Sequence, residues 1–201
     1  MTTLIPGGRI DTAQTITPVR IAILTVSDTR DEESDTSGHV LAERIKAAGH
    51  QVADKGIVKD EVSQIREQIK AWVASGSVDV IITTGGTGIT GRDVTPEALD
   101  RVKTKDIPGF GELFRWLSFA SIGTSTIQSR ACAVLARDTY IFALPGSNGA
   151  VKDGWDDILV HQLDNRFRPC NLVELMPRLQ EAQRQADREL GHDEGEQDRH
   201  Q

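Results

Sequence analysis

A chain of 201 residues, 38% of them hydrophobic, suits one α/β domain with a proper core plus extensions. Its 23 Lys and Arg against 30 Asp and Glu leave a formal net charge of −7, which argues against a nucleic-acid surface because that needs clustered cations. No apolar run is long enough to span a membrane, and the first twenty residues lack the hydrophobic core of a signal peptide, so a cytoplasmic protein is expected.

Residues 1–18 mix Pro, Gly and Thr without period and read as a flexible or loosely docked arm. Arg20 to Ser27 is a strand ending at Asp28, followed by a charged surface loop over 29–35. A helix is expected at roughly 37–48, with Val40, Leu41 and Ile45 on one face and Gly49 as its stop. Gln51 to Val58 is a second strand, ending in Lys59-Asp60-Glu61. Ile65, Ile69, Trp72 and Val73 then form a helical stripe from about 62 to 75, and a third strand follows at 78–84. Short helices are expected at 96–103 and 108–119, the second with Leu113, Phe114 and Leu117 as its apolar side. The runs 131–136 and 139–145 flank Arg137-Asp138, which suggests a hairpin and therefore one antiparallel strand. Ser147 stands before a helix at about 148–164, with Val151, Trp155, Ile158 and Leu159 as its stripe. The chain thus divides into the arm, a domain over 19–176, and a polar acidic tail over 177–201 with disorder from about Gly191. Strand–helix alternation predicts a three-layer α/β/α sandwich around a mostly parallel sheet. Cys132 and Cys170 lie far apart and read as free thiols, and the five scattered histidines outline no zinc site.

The stretch from Thr83 to Leu99 is the most informative in the chain. A β-branched strand runs into Gly85, Gly86, Thr87 and Gly88, then Asp93, then a helix start at Thr95-Pro96. Thr95 suits the N-cap and Pro96 the first helical turn, so unpaired N–H groups are expected to face the loop, a natural seat for phosphate. The literal G-x-G-x-x-G at Gly86, Gly88 and Gly91 is not a dinucleotide fingerprint, because the helix opens several residues too late and an earlier strand precedes it. A nicotinamide oxidoreductase is therefore not expected, and without a following Gly-Lys-Ser/Thr neither is a P-loop.

Small polar residues gather at four expected strand ends: Ser27-Asp28, Asp60-Glu61, Thr84 to Gly88, and Pro145-Gly146-Ser147. Four adjacent ends cover roughly 15–20 Å, which suits a phosphorylated ligand or nucleotide. No histidine falls at any of them, so acyl transfer by a Ser/His/Asp set is disfavoured. An anion cradle with two carboxylates, Asp60 and Asp93, fits phosphoryl or nucleotidyl transfer, often with Mg2+. Plainer readings stand beside these. The glycines could serve turn geometry alone, Ser27 and Ser147 could be caps, and Asp60 could cap the 62–75 helix. With Thr95 at the next cap, Asp93 has no capping duty of its own. Arg130, after Ser129, is either a surface cation or a group that orients a phosphate.

Thr25 to Asp28, Thr83 to Gly88, Arg92 to Ala98, Pro108 to Glu112, Ser129-Arg130 and Leu144-Pro145-Gly146 together resemble the MoaB/MogA proteins of molybdenum cofactor biosynthesis. Asp35 to His39, Leu117 to Phe119, Gly123 to Arg130 and Arg168 to Asn171 resemble the MoaB branch in particular. The resemblance implies a molybdopterin-binding fold assembling as a homo-oligomer, a trimer or a hexamer. It implies binding of molybdopterin and ATP, with Mg2+, and transfer of AMP to the terminal phosphate of molybdopterin with release of pyrophosphate. Asp60 and Asp93 match the catalytic aspartates by motif, while Ser27, Asp28, Gly85 to Gly88 and Pro145 to Ser147 match ligand loops. Which carboxylate would contact the metal is left open. Transferase members usually continue Leu-Pro-Gly with a second proline and a nearby lysine, whereas this chain has Ser147-Asn148-Gly149 and reaches Lys152 later. Some MoaB-branch proteins bind without catalysing, so a non-catalytic molybdopterin-binding or assembly protein is the alternative.

Overall fold

The computed structural model describes residues 7–179. The first strand, β1 (Arg9–Ile10), pairs antiparallel with the last, β8 (Phe167–Arg168). Nearby, the Thr17 amide donates to Asn165 Oδ1 at 2.7 Å. The described part of the expected arm is therefore held against the C-terminal end of the domain. Its partners lie some 150 residues away, which is why local composition gave no sign of them. Residues 1–6, and the tail from 180 on with its expected disorder, lie outside the described residues.

The central sheet contains β2 (Arg20–Val26), β3 (Gln51–Val58), β4 (Val80–Thr84), β5 (Lys105–Asp106), β6 (Cys132–Ala136) and β7 (Thr139–Leu144). Its order is β3-β2-β4-β7-β6-β5, with β3, β2, β4 and β7 parallel and β6 antiparallel to both neighbours. The hairpin turns at Arg137, whose φ of 56° is left-handed. β5 escaped the sequence reading because two polar residues on a sheet edge carry no periodicity.

Alternation along the strands sorts side chains between two cores. Ile21, Ile23, Val80, Ile82, Phe142 and Leu144 face helices α1 (Thr36–Ala47), α4 (Pro108–Ile122) and α5 (Asn148–Gly154). Ala22, Leu24, Ile81, Ile141 and Ala143 face α2 (Val62–Ser75) and α3 (Thr95–Asp100). The first core is the bulkier, with Trp155, Phe114 and Phe142 almost fully buried. Each such side chain contributes about 1.5–3 kcal/mol of transfer free energy. The architecture is the expected three-layer sandwich on a mostly parallel sheet.

Local chemistry explains the boundaries. Asp35 caps α1 by accepting from the Gly38 amide at 3.0 Å, and Gly49 at φ 84° ends the turn that follows. α2 closes on left-handed Gly76. Helix α4 runs on to Ile122, and its buried stripe is Phe110, Phe114 and Ser118 at i, i+4 and i+8. Leu113, expected on that side, is exposed because it lies one position off the stripe. After α5 the chain continues as a π-type turn, Trp155–Leu159, and a last helical turn α6 (Val160–Gln162). Trp72 and Trp155 are core residues, whereas Trp116 is 59% exposed. Cys132 is partly buried and Cys170 is exposed; both are free. No helix among the described residues is long and apolar enough to cross a membrane.

Candidate functional site

The parallel strands β3, β2, β4 and β7 are consecutive neighbours, so their C-terminal ends form one continuous edge. Along it stand Asp60-Glu61, Ser27-Asp28, the glycine loop and Pro145 to Ser147, in that order. The four expected strand ends are thereby brought together.

The glycine loop leaves β4 through Gly85 (φ 109°) and Gly86 (φ 64°), conformations that L side chains rarely adopt. A methyl group at Gly85 would strike the Val26 carbonyl, and one at Gly86 would strike Thr95 Oγ1 and sit 3.1 Å from Asp60 Oδ1. At Gly88 it would lie 2.7 Å from Asp93 Oδ2. Both candidate carboxylates therefore abut the loop, one on either side of Thr87. The Gly85 amide is tied to Leu144 O at 3.0 Å. Those of Gly86 and Thr87 donate to no protein group among the described residues.

Thr95 does not cap α3. It lies within the helix, and its Oγ1 donates to Gly85 O at 2.9 Å, while the cap position, Val94, offers no side-chain bond. Closing the glycine loop outcompeted capping for that hydroxyl, because a buried carbonyl needs a partner. Asp93 has local work after all: its Oδ2 accepts from the Thr90 amide at 2.8 Å and from Thr90 Oγ1 at 2.6 Å. The Thr90 hydroxyl, above all, holds the Asp93 carboxyl below the usual carboxylate range.

Asp60 is the opposite case. The residue before α2 is Glu61, which makes no side-chain cap, and Asp60 makes no side-chain hydrogen bond among the described residues. Burial first, and neighbouring Asp28 second, push its carboxyl up. Asp28 is itself held low by its bonds to Arg92, at 2.8 and 2.9 Å, and Arg92 also pairs with Glu61 at 2.8 Å. Arg92 thus ties the β2, β3 and β4 loops around Asp60.

Arg130 faces the back of the glycine loop. Its guanidinium donates to Gly88 O and Asp93 O, both at 2.6 Å, and pairs with Glu97. Its own amide donates to Thr87 O at 2.8 Å. That pattern makes it a clamp on the loop's carbonyls, a third reading beside surface cation and phosphate ligand. Ser129 Oγ accepts from the Ala131 amide. Ser27 Oγ accepts from the Thr29 and Arg30 amides, and Ser147 Oγ caps α5 through the Ala150 amide. Both serines thus carry cap-like bonds on the site's rim. The Pro145 carbonyl accepts from Thr84 Oγ1 and that of Gly146 from Arg30.

Sequence reasoning missed Arg30 and Asp35. Arg30 Nη2 reaches Gly146 O at 2.8 Å and Nη1 reaches Ser37 Oγ at 2.6 Å, spanning the β2–α1 and β7–α5 loops. Asp35, fully buried, also accepts from Thr25 Oγ1 at 2.8 Å. The sequence signals for Asp35 were its place in the Asp35-to-His39 string and its position three residues before a glycine at a helix start, and neither gave it a role at the site. Nothing marked Arg30.

On the α4 and α5 side of the loop a cavity of about 380 Å3 opens, bounded by Thr87, Gly88, Phe114, Ser118, Pro145 and Asp153. Among the described residues no three His, Cys, Asp or Glu side chains converge on a metal position. Asp60 and Asp93 nevertheless suit Mg2+ as hard oxygen donors, and Asp60, destabilised as an anion, gains from a nearby cation. Further ligands would be substrate phosphates and water.

A three-layer α/β protein with a glycine loop and two carboxylates along one strand-end edge belongs to the class of open α/β sheets whose ligands bind beyond the carboxyl ends of the parallel strands. Residues 22–165 match the family described as "Probable molybdopterin binding domain". Molybdenum cofactor biosynthesis protein B of Escherichia coli K12 is 55% identical over 154 residues, 77% of this chain and 91% of that protein. The protein of the same name from Halalkalibacterium halodurans is 46% identical over 151 residues, 75% of this chain and 89% of its own. A crystal structure of molybdenum cofactor biosynthesis protein B superposes with a TM-score of 0.76 at 40% identity, covering 84% of this chain and 99% of that one. The molybdopterin biosynthesis enzyme MoaB of Thermus thermophilus gives 0.64 at 32% identity, covering 70% and 89%. The chain belongs to the MoaB/MogA family of molybdenum cofactor biosynthesis proteins.

Proposed function

We propose that this chain is a cytoplasmic molybdopterin adenylyltransferase. An oxygen of the terminal phosphate of molybdopterin attacks the α-phosphorus of ATP, the bond from that phosphorus to the bridging oxygen breaks, and pyrophosphate leaves with adenylyl-molybdopterin formed. The observation that carries this reading is the placement of Asp60 and Asp93 against Gly86 and Gly88 on one strand-end edge. The amides of Gly86 and Thr87 hold anionic oxygens, and Arg130 keeps their loop in shape from behind. Arg92 and Arg30 brace the flanking loops so that the two phosphates meet in line. Asp60 or Asp93 would hold Mg2+, which would supply positive charge to offset that of the transferring group.

The test is pyrophosphate release from ATP and Mg2+ with purified molybdopterin. Asp60→Asn and Asp93→Asn are each expected to slow it by roughly 100-fold or more. Turnover equal to that of the native protein would remove these residues from the chemistry.

One observation favours the non-catalytic alternative: Asp93 is already engaged by Thr90, a sufficient structural reason for its presence. Tight molybdopterin binding by calorimetry without ATP turnover would establish that reading instead. In either case we infer a homo-oligomer, because Trp116, Phe119, Ile122 and Ile127 stand exposed on α4 and the turn after it; a trimer or hexamer is what the family resemblance implies. Two free thiols accord with a reducing compartment.

A further inference from the structure

The β6–β7 hairpin turns just before the first residue of β7, at the opposite end of that strand from the candidate site, and two hollows meet there. One, of about 530 Å3, is walled by Lys105, Arg137 and Arg178, with Leu135, Leu175 and Leu179 as its apolar surface. The other, of about 340 Å3, is walled by Lys70, Arg101 and the same Arg137, over Ile69, Val73 and Val102. No Asp or Glu lines either hollow, although the chain as a whole carries a net charge of −7. All five cations are exposed, and none forms an ion pair among the described residues. Asp100 and Asp106 on the neighbouring turn are held by Lys103, at 2.6 and 3.1 Å, and Asp138 follows Arg137 but lines neither hollow. Like charges grouped around an apolar floor repel one another, and an acidic segment with small apolar side chains is the complementary partner.

The described residues themselves end inside the first hollow, at Leu179. Residues 180–201 follow, with seven Asp and Glu against three Arg and no Lys. Among them Ala182, Ala186 and Leu190 recur at every fourth position. We propose that the acidic segment 180–198 docks back into the basic groove of its own chain, its carboxylates against Lys105, Arg137, Arg101 and Lys70 and its apolar residues over the two floors. Leu190 lies 11 residues beyond Leu179. That length reaches roughly 35 Å extended or about 16 Å as a helix, and because the hollows share Arg137 either form crosses from the first to the second. The segment passes Thr104 and Lys105 and so shields β5, the edge strand of the sheet. Exposed ion pairs are individually weak, but attachment at Leu179 makes the docking intramolecular, so a few of them suffice together. The inference is independent of the reading of the strand-end site.

Arg184 and Arg188 lie inside the segment and offer trypsin two bonds, so their cleavage rate in the full chain measures docking. Against the synthetic peptide 180–201 as reference, the native chain is expected to be cut roughly tenfold more slowly at low salt, and at the peptide's rate in about 1 M NaCl, where the Debye length is about 3 Å. Arg137→Glu combined with Lys105→Glu is expected to speed low-salt cleavage by about fivefold or more with the melting temperature unchanged. Asp193→Asn combined with Glu194→Gln, which leaves the folded domain untouched, is expected to speed it to a lesser degree. Protection is expected to persist through a roughly 100-fold dilution, because a tethered segment needs no second molecule. Cleavage at the peptide's rate in low salt would overturn the proposal. So would protection that survives the Arg137 and Lys105 reversals, which puts the segment elsewhere. Protection that fades on dilution would overturn it too, by giving the groove to the tail of a second copy.

Discussion

His50 shows how much a single side chain is bound by its surroundings. It is buried against Trp155 with its ring at 75° to the indole, and its Nδ1 accepts from the Val19 amide at 3.2 Å. That bond requires the neutral ring with its proton on Nε2, which has no partner among the described residues. Burial holds the His50 pKa below 6.5; Asp164 pulls it up and Arg166 pushes it down by lesser amounts. A histidine depressed in the folded state takes up a proton more readily when unfolded. Its contribution to stability is complete above pH 6.5 and is lost as pH falls through the folded value. Urea titrations between about pH 7 and 5 should therefore show stability falling with acidity, and His50→Asn should flatten that slope while lowering stability overall. Asp93 teaches the complementary lesson at this scale. A motif named the residue, but only its bonds to Thr90 disclosed a structural duty alongside the proposed chemical one.

Among the elements, α1 depends most on one residue. Asp35 caps it through the Gly38 amide, receives the Thr25 hydroxyl from the middle of the sheet, and stands 3.9 Å from Arg30. Replacing it by alanine removes a cap and strands a buried hydroxyl, at a cost of about 1–3 kcal/mol. Chemical denaturation should show that loss for Asp35→Ala and a clearly smaller one for Asp35→Asn, which keeps an acceptor at the cap. The strands β2 and β3 and the helices α1 and α2 were legible within a residue or two, since their stripes and glycine stops are local signals. α3 was not. Thr95 and Pro96 read as cap and first turn, but the Gly85 carbonyl claimed the threonine's hydroxyl from ten residues away.

For the whole molecule, the open question is what covers α4. Trp116 at 59% and Ile127 at 82% exposure are large apolar surfaces to leave in water. If they form the proposed contact between copies, sedimentation should find an assembly several times the 22.0 kDa chain. Trp116→Glu combined with Phe119→Glu should return a monomer. Assembly unchanged by that pair would place the interface elsewhere.

The sequence by itself determined the layers, the strand ends and the glycine loop. Apolar period, β-branching and glycine placement act over a few residues, and the motif strings at those ends were specific enough to name the family. Only the tertiary structure decided which polar groups each side chain meets. Arg130 turns to the loop's carbonyls, Arg30 bridges to Gly146, and residues 9–10 find a strand at 167–168. Those partners lie far apart along the chain and are chosen by the need to satisfy buried polar groups, a condition that exists only once the chain has folded.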